Sequence, residues 1–195
     1  RLGYDSVVIE DWVSVLAEER PEVISIHGRT LAQMYRGRAD WDAIGRAAKL
    51  VRDTSTLVLG NGDVESMADL VQKVRDTHVH GVLIGRGAPG NPWVFRSKAW
   101  AQAQVHEAPI PKPLYDVPLQ ERFRVALEHA RYFEALGGDS RFSAMRKHLG
   151  WYCTGFFKAA EVRSQMFRAT GSHDVERILA GIVLDVPEPV SGLPA

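Results

Sequence analysis

Three short apolar runs that end in glycine turns constrain this chain more than any other feature. VISIHG (23–28), TLVLGNGD (56–63) and GVLIGRG (81–87) each read as a strand entering a loop, and helical patterns separate them. Val8, Trp12, Val15 and Leu16 make an apolar stripe in the first helical segment, 7–19. In the second, Asp40 is placed as an N-cap before 41–53, with Ile44, Ala47, Ala48 and Val51 on one face. A third helix over 66–74 carries Met67, Leu70, Val71 and Val74. Strands alternating with helices of about ten to thirteen residues predict βα units on a parallel sheet. The short β-branched apolar runs mark buried strands. Either a (β/α)8 barrel or a doubly wound sheet satisfies this pattern. A barrel needs roughly 200 residues or more, so three strands would be only its last portion. The strands of such a partial barrel would keep unpaired edges and an uncovered face. Arg1-Leu2 reads as the tail of one further strand.

The pattern changes after Gly90. Residues 91–105 look helical, and 107–118 hold four prolines and read as a linker. Helical segments follow over 119–136, 140–155, 158–170 and 172–184, the first ending at Gly137-Gly138. This predicts four domain-level segments. They are a barrel portion over 1–106, the linker 107–118, a helical bundle over 119–184 and a disordered tail over 185–195. The formal net charge is zero, yet residues 119–168 carry nine Lys/Arg against five Asp/Glu. A basic helical face of this kind can bind a phosphate backbone, although a solvated surface has the same composition. No run of 18 apolar residues and no secretory leader pattern occur, and the one cysteine, Cys153, cannot form an internal disulfide. These features predict a cytoplasmic protein with no membrane partner.

Two glycine turns carry the chemistry. Gly60-Asn61-Gly62-Asp63 and Gly85-Arg86-Gly87 follow successive strands, and consecutive glycine-rich amides form anion-binding concavities. Arg86 can add a charge-assisted bond to a phosphate, and Asp63 can accept from a ribityl or ribose hydroxyl. His27 closes the first strand, followed by Arg29 and Thr30, with Gln33 and Tyr35 in the same loop. A histidine there serves either structure or a ligand. Cys153 lies among aromatics in a helical stretch and reads as a packing residue. His78 and His80 read as a solvated loop. No paired metal ligands are present, so no metal is expected.

HGRTLAQMYRGRADWDAI (27–44), LGNGDVESMADL (59–70), GVLIGRGAPGNPWVF (81–95) and MRKHLGWYCTGF (145–156) closely resemble tRNA-dihydrouridine synthases of the bacterial branch that includes the B-type enzymes. The resemblance spans roughly residues 1–183. It implies a (β/α)8 barrel that binds FMN at its carboxyl end, a helical domain, and NADPH or NADH as reductant. It further implies hydride transfer from the flavin to C6 of a uracil in tRNA, with a cysteine protonating C5 and the base turned out of the RNA. Asn61, Gly62, Asp63, Gly85 and Arg86 are then expected at the FMN phosphate, and His27 and Arg29 near the flavin or the substrate. Arg146, Lys147 and His148 are expected at the tRNA backbone. The family's flavin-contacting lysine and catalytic cysteine match nothing in this chain, and Cys153 is not at the cysteine's place. The expectation is therefore a carboxyl-terminal portion that cannot catalyse the reaction alone. Two other readings remain: a non-catalytic RNA-binding remnant, or another FMN-dependent barrel oxidoreductase acting on a small molecule.

Overall fold

The structure is a computed structural model that describes residues 1–97, 101–102, 105, 117–138 and 141–183. The expected tail lies outside these residues, as do most of the linker and much of the helical stretch after Ser97. The chain forms two compact units, Arg1–Ala88 with Pro92–Leu114, and Pro89–Asn91 with Tyr115–Ala195. No described helix is long and apolar enough to cross a membrane.

The first unit runs α1 (Ile9–Glu18), β1 (Val23–His27), α2 (Trp41–Leu50), β2 (Leu57–Asn61), α3 (Met67–Thr77) and β3 (Gly81–Leu83). Its three strands form one parallel sheet in the order β1-β2-β3. Arg1-Leu2 is not a strand. Leu2 is buried, and its N–H donates to the Arg29 carbonyl at 3.1 Å, so the segment lies along the loop after β1. The helix starts follow local chemistry. Asp40 Oδ1 accepts from the Ala43 N–H at 2.8 Å, the expected N-cap. Ser66 and Asp69 form a reciprocal capping box at α3. His78 ends α3 in the left-handed region, and His80 Nδ1 accepts from the Val58 N–H at 3.0 Å. Both histidines are exposed in the loop between α3 and β3, the solvated loop expected, and His80 also ties that loop to β2.

Ile24, Ile26 and Val58 on one sheet face pack with Ile44, Ala47 and Ala48 of α2, with Val51 just past its end, and with Ile9 and Val13 of α1. One face of the sheet is covered, whereas Val23 and Leu57 on the other are exposed, the uncovered face expected of a partial barrel. One sequence expectation changes here. In α1 the stripe is phased differently: Ile9 and Val13 are buried, whereas Trp12, Val15 and Leu16 are exposed. Both faces of α1 are apolar, so periodicity alone does not choose between them. At Gly60 a Cβ would run into the buried Trp41 ring, which fits under β2 because that position has no side chain.

The second unit contains α4 (Leu119–Phe133), α5 (Ser143–Tyr152), α6 (Ala159–Met166) and α7 (Ser172–Val183). Three of the four helices are shorter than the sequence predicts, whereas α7 follows its expected span through the last described residue. α4 passes into a π-type turn over Glu134–Gly138, where Gly137 takes φ 81°. Glu134 Oε1 then accepts from the Ser172 N–H at 2.5 Å, capping α7. α5 and α6 end at Tyr152 and Met166, several residues short of the predicted ends.

Candidate functional site

The sheet register sets the site. His27 pairs with Asn61, and Asn61 with Leu83, so all three strands end at one level and their loops leave together. Asn61 Nδ2 donates to the Leu83 carbonyl at 2.9 Å, and this places Asn61 as a brace between β2 and β3. Gly62 follows with φ 128°, and a Cβ there would strike Ala39, so the turn requires glycine.

Asp63 stands at the centre, itself in the left-handed region at φ 53°. Its two oxygens lie 2.8 Å from Arg29 Nη2, Oδ2 accepts from the Ala39 N–H at 2.7 Å, and Oδ1 accepts from Arg86 Nη2 at 2.5 Å. Arg29 also donates to the carbonyls of Arg36 and Gly37, at 3.2 and 2.7 Å. One carboxylate therefore holds the ends of three successive βα units together. Burial pushes the Asp63 carboxyl up, but the Ala39 N–H and the two guanidinium groups outweigh it and hold the group below the usual range. Its oxygens are occupied, so Asp63 positions Arg86 instead of presenting a free acceptor for a hydroxyl. The Arg29 side chain is only 4% exposed and works inside the fold, whereas Arg86 is 59% exposed and keeps donors for a ligand.

Two clefts adjoin this cluster and share Arg29, Tyr35, Asp63 and Arg86. The smaller, of about 80 Å³, is lined by His27, Asn61, Gly62, Gly85 and Arg86 among others. The larger, of about 520 Å³, opens toward Arg38, Trp41 and Lys73. His27 Nδ1 is buried and has no partner among the described residues. Burial, then the charges of Arg1 and Arg29, hold its imidazole below the ordinary histidine range, so it is neutral at pH 7. No protein group among the described residues accepts from the N–H groups of Gly85, Arg86 or Gly87. Gly85 and Arg86 line the smaller cleft together with the Glu65 carboxylate.

In the helical unit the expected residues separate. Arg146 Nε donates to the Ala169 carbonyl at 2.8 Å and ties α5 to the end of α6. Lys147 is exposed. The His148 ring lies 4.7 Å from Trp151 and 5.7 Å from His129, and burial keeps it below the ordinary range, so it is no cation at pH 7. Arg124 pairs with Glu121 and Glu128, and Arg131 with Glu176, so part of the basic excess is spent within the unit. Cys153 is buried, donates to the Leu149 carbonyl, and has its thiol pushed up to about 11 by burial, which leaves it unreactive. An apolar groove of about 580 Å³, lined by Phe156, Phe157, Val162, Ile178 and Ile182 among others, was not signalled by any sequence motif. The Arg29–Asp63–Arg86 cluster was missed too, although its sign pattern is legible: HGR, GNGD and GR place opposite charges just past consecutive strands.

Comparison with known proteins identifies the family. The dihydrouridine synthase (Dus) family model matches residues 2–185. A probable tRNA-dihydrouridine synthase of Mycobacterium leprae is 32% identical over 172 residues, covering 88% of this chain and 43% of the relative. Its counterpart in Mycobacterium tuberculosis (strain H37Rv) is 33% identical over 174 residues, covering 89% and 43%. The tRNA-dihydrouridine synthase B of Pseudomonas putida is 36% identical over 142 residues, covering 72% and 40%. The chain thus spans just under half the length of these relatives. With the family model matched along nearly all of it, the chain belongs to the dihydrouridine synthase family.

Proposed function

We propose that this chain supplies the phosphate-holding side of a flavin site in a tRNA-dihydrouridine synthase, together with a helical domain that engages tRNA. The carrying observation is the convergence of Gly62, Gly85 and Arg86 at one sheet end, with Arg86 held in place by Asp63. The fit to FMN rests on two features. The Gly85, Arg86 and Gly87 N–H groups have no acceptor among the described residues, which suits a phosphate dianion. The orphaned Nδ1 of His27 borders the same cleft and can serve a heteroatom of a bound ring. Bound FMN, reduced by NADPH or NADH, would supply the hydride that saturates the C5–C6 bond of uridine.

The chain's own residues then have distinct tasks. Arg86 and the glycine-turn amides bind the phosphate. Arg29 and Asp63 fix the loops that present those groups, and Asn61 keeps β2 and β3 level. Neutral His27 meets the flavin or the uracil. Lys147 is the exposed cation suited to the tRNA backbone, with Arg146 and His148 beside it on α5. Cys153 is not the acid that protonates C5, because it is buried and holds its proton too tightly. Since the sequence has no other cysteine, this chain alone is proposed to be inactive on tRNA.

A closed (β/α)8 barrel is the fold that this reading implies. In its support, the outer edges of β1 and β3 pair with no described strand, and Trp12, Val15, Leu16, Val23 and Leu57 are exposed. A closed barrel would cover those surfaces. Residues 1–106 would then be barrel, 107–118 linker, 119–184 the tRNA-binding bundle and 185–195 a tail, working in the cytoplasm where tRNA is matured. Equilibrium dialysis against FMN tests the reading. Retention of the flavin by the chain supports it, and no retention at millimolar FMN overturns it.

A further inference from the structure

The Arg29–Asp63–Arg86 cluster has a second side. Away from His27 and the glycine turns, it walls the 520 Å³ cleft bounded by Tyr35, Arg38, Trp41 and Lys73. Four cations line this cleft, Arg29, Arg38, Lys73 and Arg86, against two carboxylates, Asp63 and Asp69. Neither carboxylate serves Arg38 or Lys73. The Asp63 oxygens are taken by Arg29, Arg86 and the Ala39 N–H. Asp69 Oδ2 accepts from the Glu65 and Ser66 N–H groups at the start of α3. Among the described residues Arg38 and Lys73 form no ion pair.

Lys73 is nonetheless held in place. Its Nζ lies 5.5 Å from the centre of the Trp41 ring, which is buried and anchored by Nε1 donating to the Gly62 carbonyl at 2.8 Å. An aromatic face attracts the ammonium but accepts none of its N–H bonds in the normal geometry, so those donors remain for the cleft. On the rim Tyr35 is 76% exposed and packs against no other aromatic ring among the described residues. Uncompensated cations next to an uncovered aromatic face are the combination that holds single-stranded nucleic acid: the cations take the backbone and the ring takes a base.

We propose that this cleft is a second anion subsite, distinct from the flavin-phosphate cradle, in which Arg38 and Lys73 hold one backbone phosphate of single-stranded RNA while Tyr35 stacks a neighbouring base. The inference rests on the reading of the chain as tRNA-acting and adds to it a contact outside the helical domain. It also gives the Asp63 cluster a double role, as a wall shared by the flavin cleft and the RNA cleft.

The test measures binding of an unmodified tRNA transcript to the whole chain across a range of salt, with FMN and NADPH titrated separately. Arg38→Gln and Lys73→Gln should each weaken tRNA binding about 5–20-fold and reduce the slope of log K against log salt by about 0.7–0.9. Tyr35→Ala should weaken it about tenfold with the slope unchanged, and Lys73→Arg should bind like the parent. FMN affinity should not change in Arg38→Gln or Lys73→Gln, which line only this cleft, whereas Tyr35 borders both clefts and its variant is read by tRNA affinity and salt slope. Arg38 and Tyr35 are exposed, so their variants keep the test interpretable if Lys73→Gln unfolds. Unchanged tRNA affinity and slope in the Arg38 and Tyr35 variants would overturn the proposal. So would weakened NADPH binding with tRNA binding intact, which would make the cleft a nucleotide site, or loss of FMN in step with tRNA in Arg38→Gln. A parent chain that binds FMN but no tRNA would sink the tRNA reading itself, and this inference with it.

Discussion

Asp63→Asn removes one charge at the centre of the site while leaving the backbone nearly undisturbed. Asp63 sits at φ 53°, a left-handed conformation that asparagine tolerates at least as well, so backbone strain does not enter. The side-chain bonds do change. Donors from Arg29, Ala39 and Arg86 converge on two carboxylate oxygens, and asparagine offers one oxygen and a competing NH₂. The Arg29 side chain is 4% exposed and would keep its charge without a counterion. Breaking a fully buried pair costs about 3–5 kcal/mol. Asp63 is 28% exposed, so water recovers part of that, and about 2–3 kcal/mol is expected. Arg86→Ala removes only a solvent-exposed pair and should cost less than about 1 kcal/mol. Native-state hydrogen exchange at the β1 and β2 amides reads the stability of this unit by itself. The parent should also lose stability as pH falls from the ordinary aspartate range (about 4) through the depressed pKa of Asp63, and the Asn variant should lack that limb. A cost below about 0.5 kcal/mol, or an equal cost for Arg86→Ala, would refute the idea that Asp63 matters chiefly as the counterion of Arg29.

Gly60→Ala places a methyl inside the Trp41 ring and should destabilise the first unit by about 1–3 kcal/mol in the same exchange experiment; a neutral result would contradict the packing described. His129 and His148 are both held below the ordinary histidine range by burial, so their contribution to the helical unit is complete above about pH 6.5 and is lost as pH falls through their folded values. Thermal melts at pH 7.5 and 5 should therefore differ for the parent, with a smaller difference in His129→Phe. Cys153 should resist alkylation by iodoacetamide in the native chain at pH 7.5 and react once urea unfolds it. Rapid native alkylation would show that the thiol is reachable.

The parts of the fold that local chemistry determines were legible in the sequence. Asp40 capping α2, the Ile44–Ala48 face of that helix and the three glycine-ended strands all follow from spacing and turn residues. The phase of α1 was not legible, because Trp12, Val15 and Leu16 are as apolar as the Ile9 and Val13 that the core takes. Burial there depends on which face a neighbour reaches, and periodicity does not carry that. The same limit applies at the site. The glycine turns and Arg86 pointed to an anion, but the occupation of Asp63 by Arg29 joins residues 34 positions apart. The family resemblance implied Arg146 and His148 at the tRNA backbone. The structure commits Arg146 to the Ala169 carbonyl and surrounds His148 with rings. Charge counts do not distinguish a cation that faces solvent from one that satisfies a carbonyl.

The central claim is that the glycine turns and Arg86 hold the phosphate of a flavin. Titrating the chain with FMN and with riboflavin, which differ only in that phosphate, tests it by fluorescence quenching. Bonds from Arg86 and the turn amides to a dianion, at about 1.5–3 kcal/mol each for charged partners, predict FMN binding on the order of 100-fold tighter than riboflavin. Arg86→Ala should remove most of that difference while leaving riboflavin binding unchanged. Equal affinity for the two flavins, or an FMN preference that survives Arg86→Ala intact, would contradict the account.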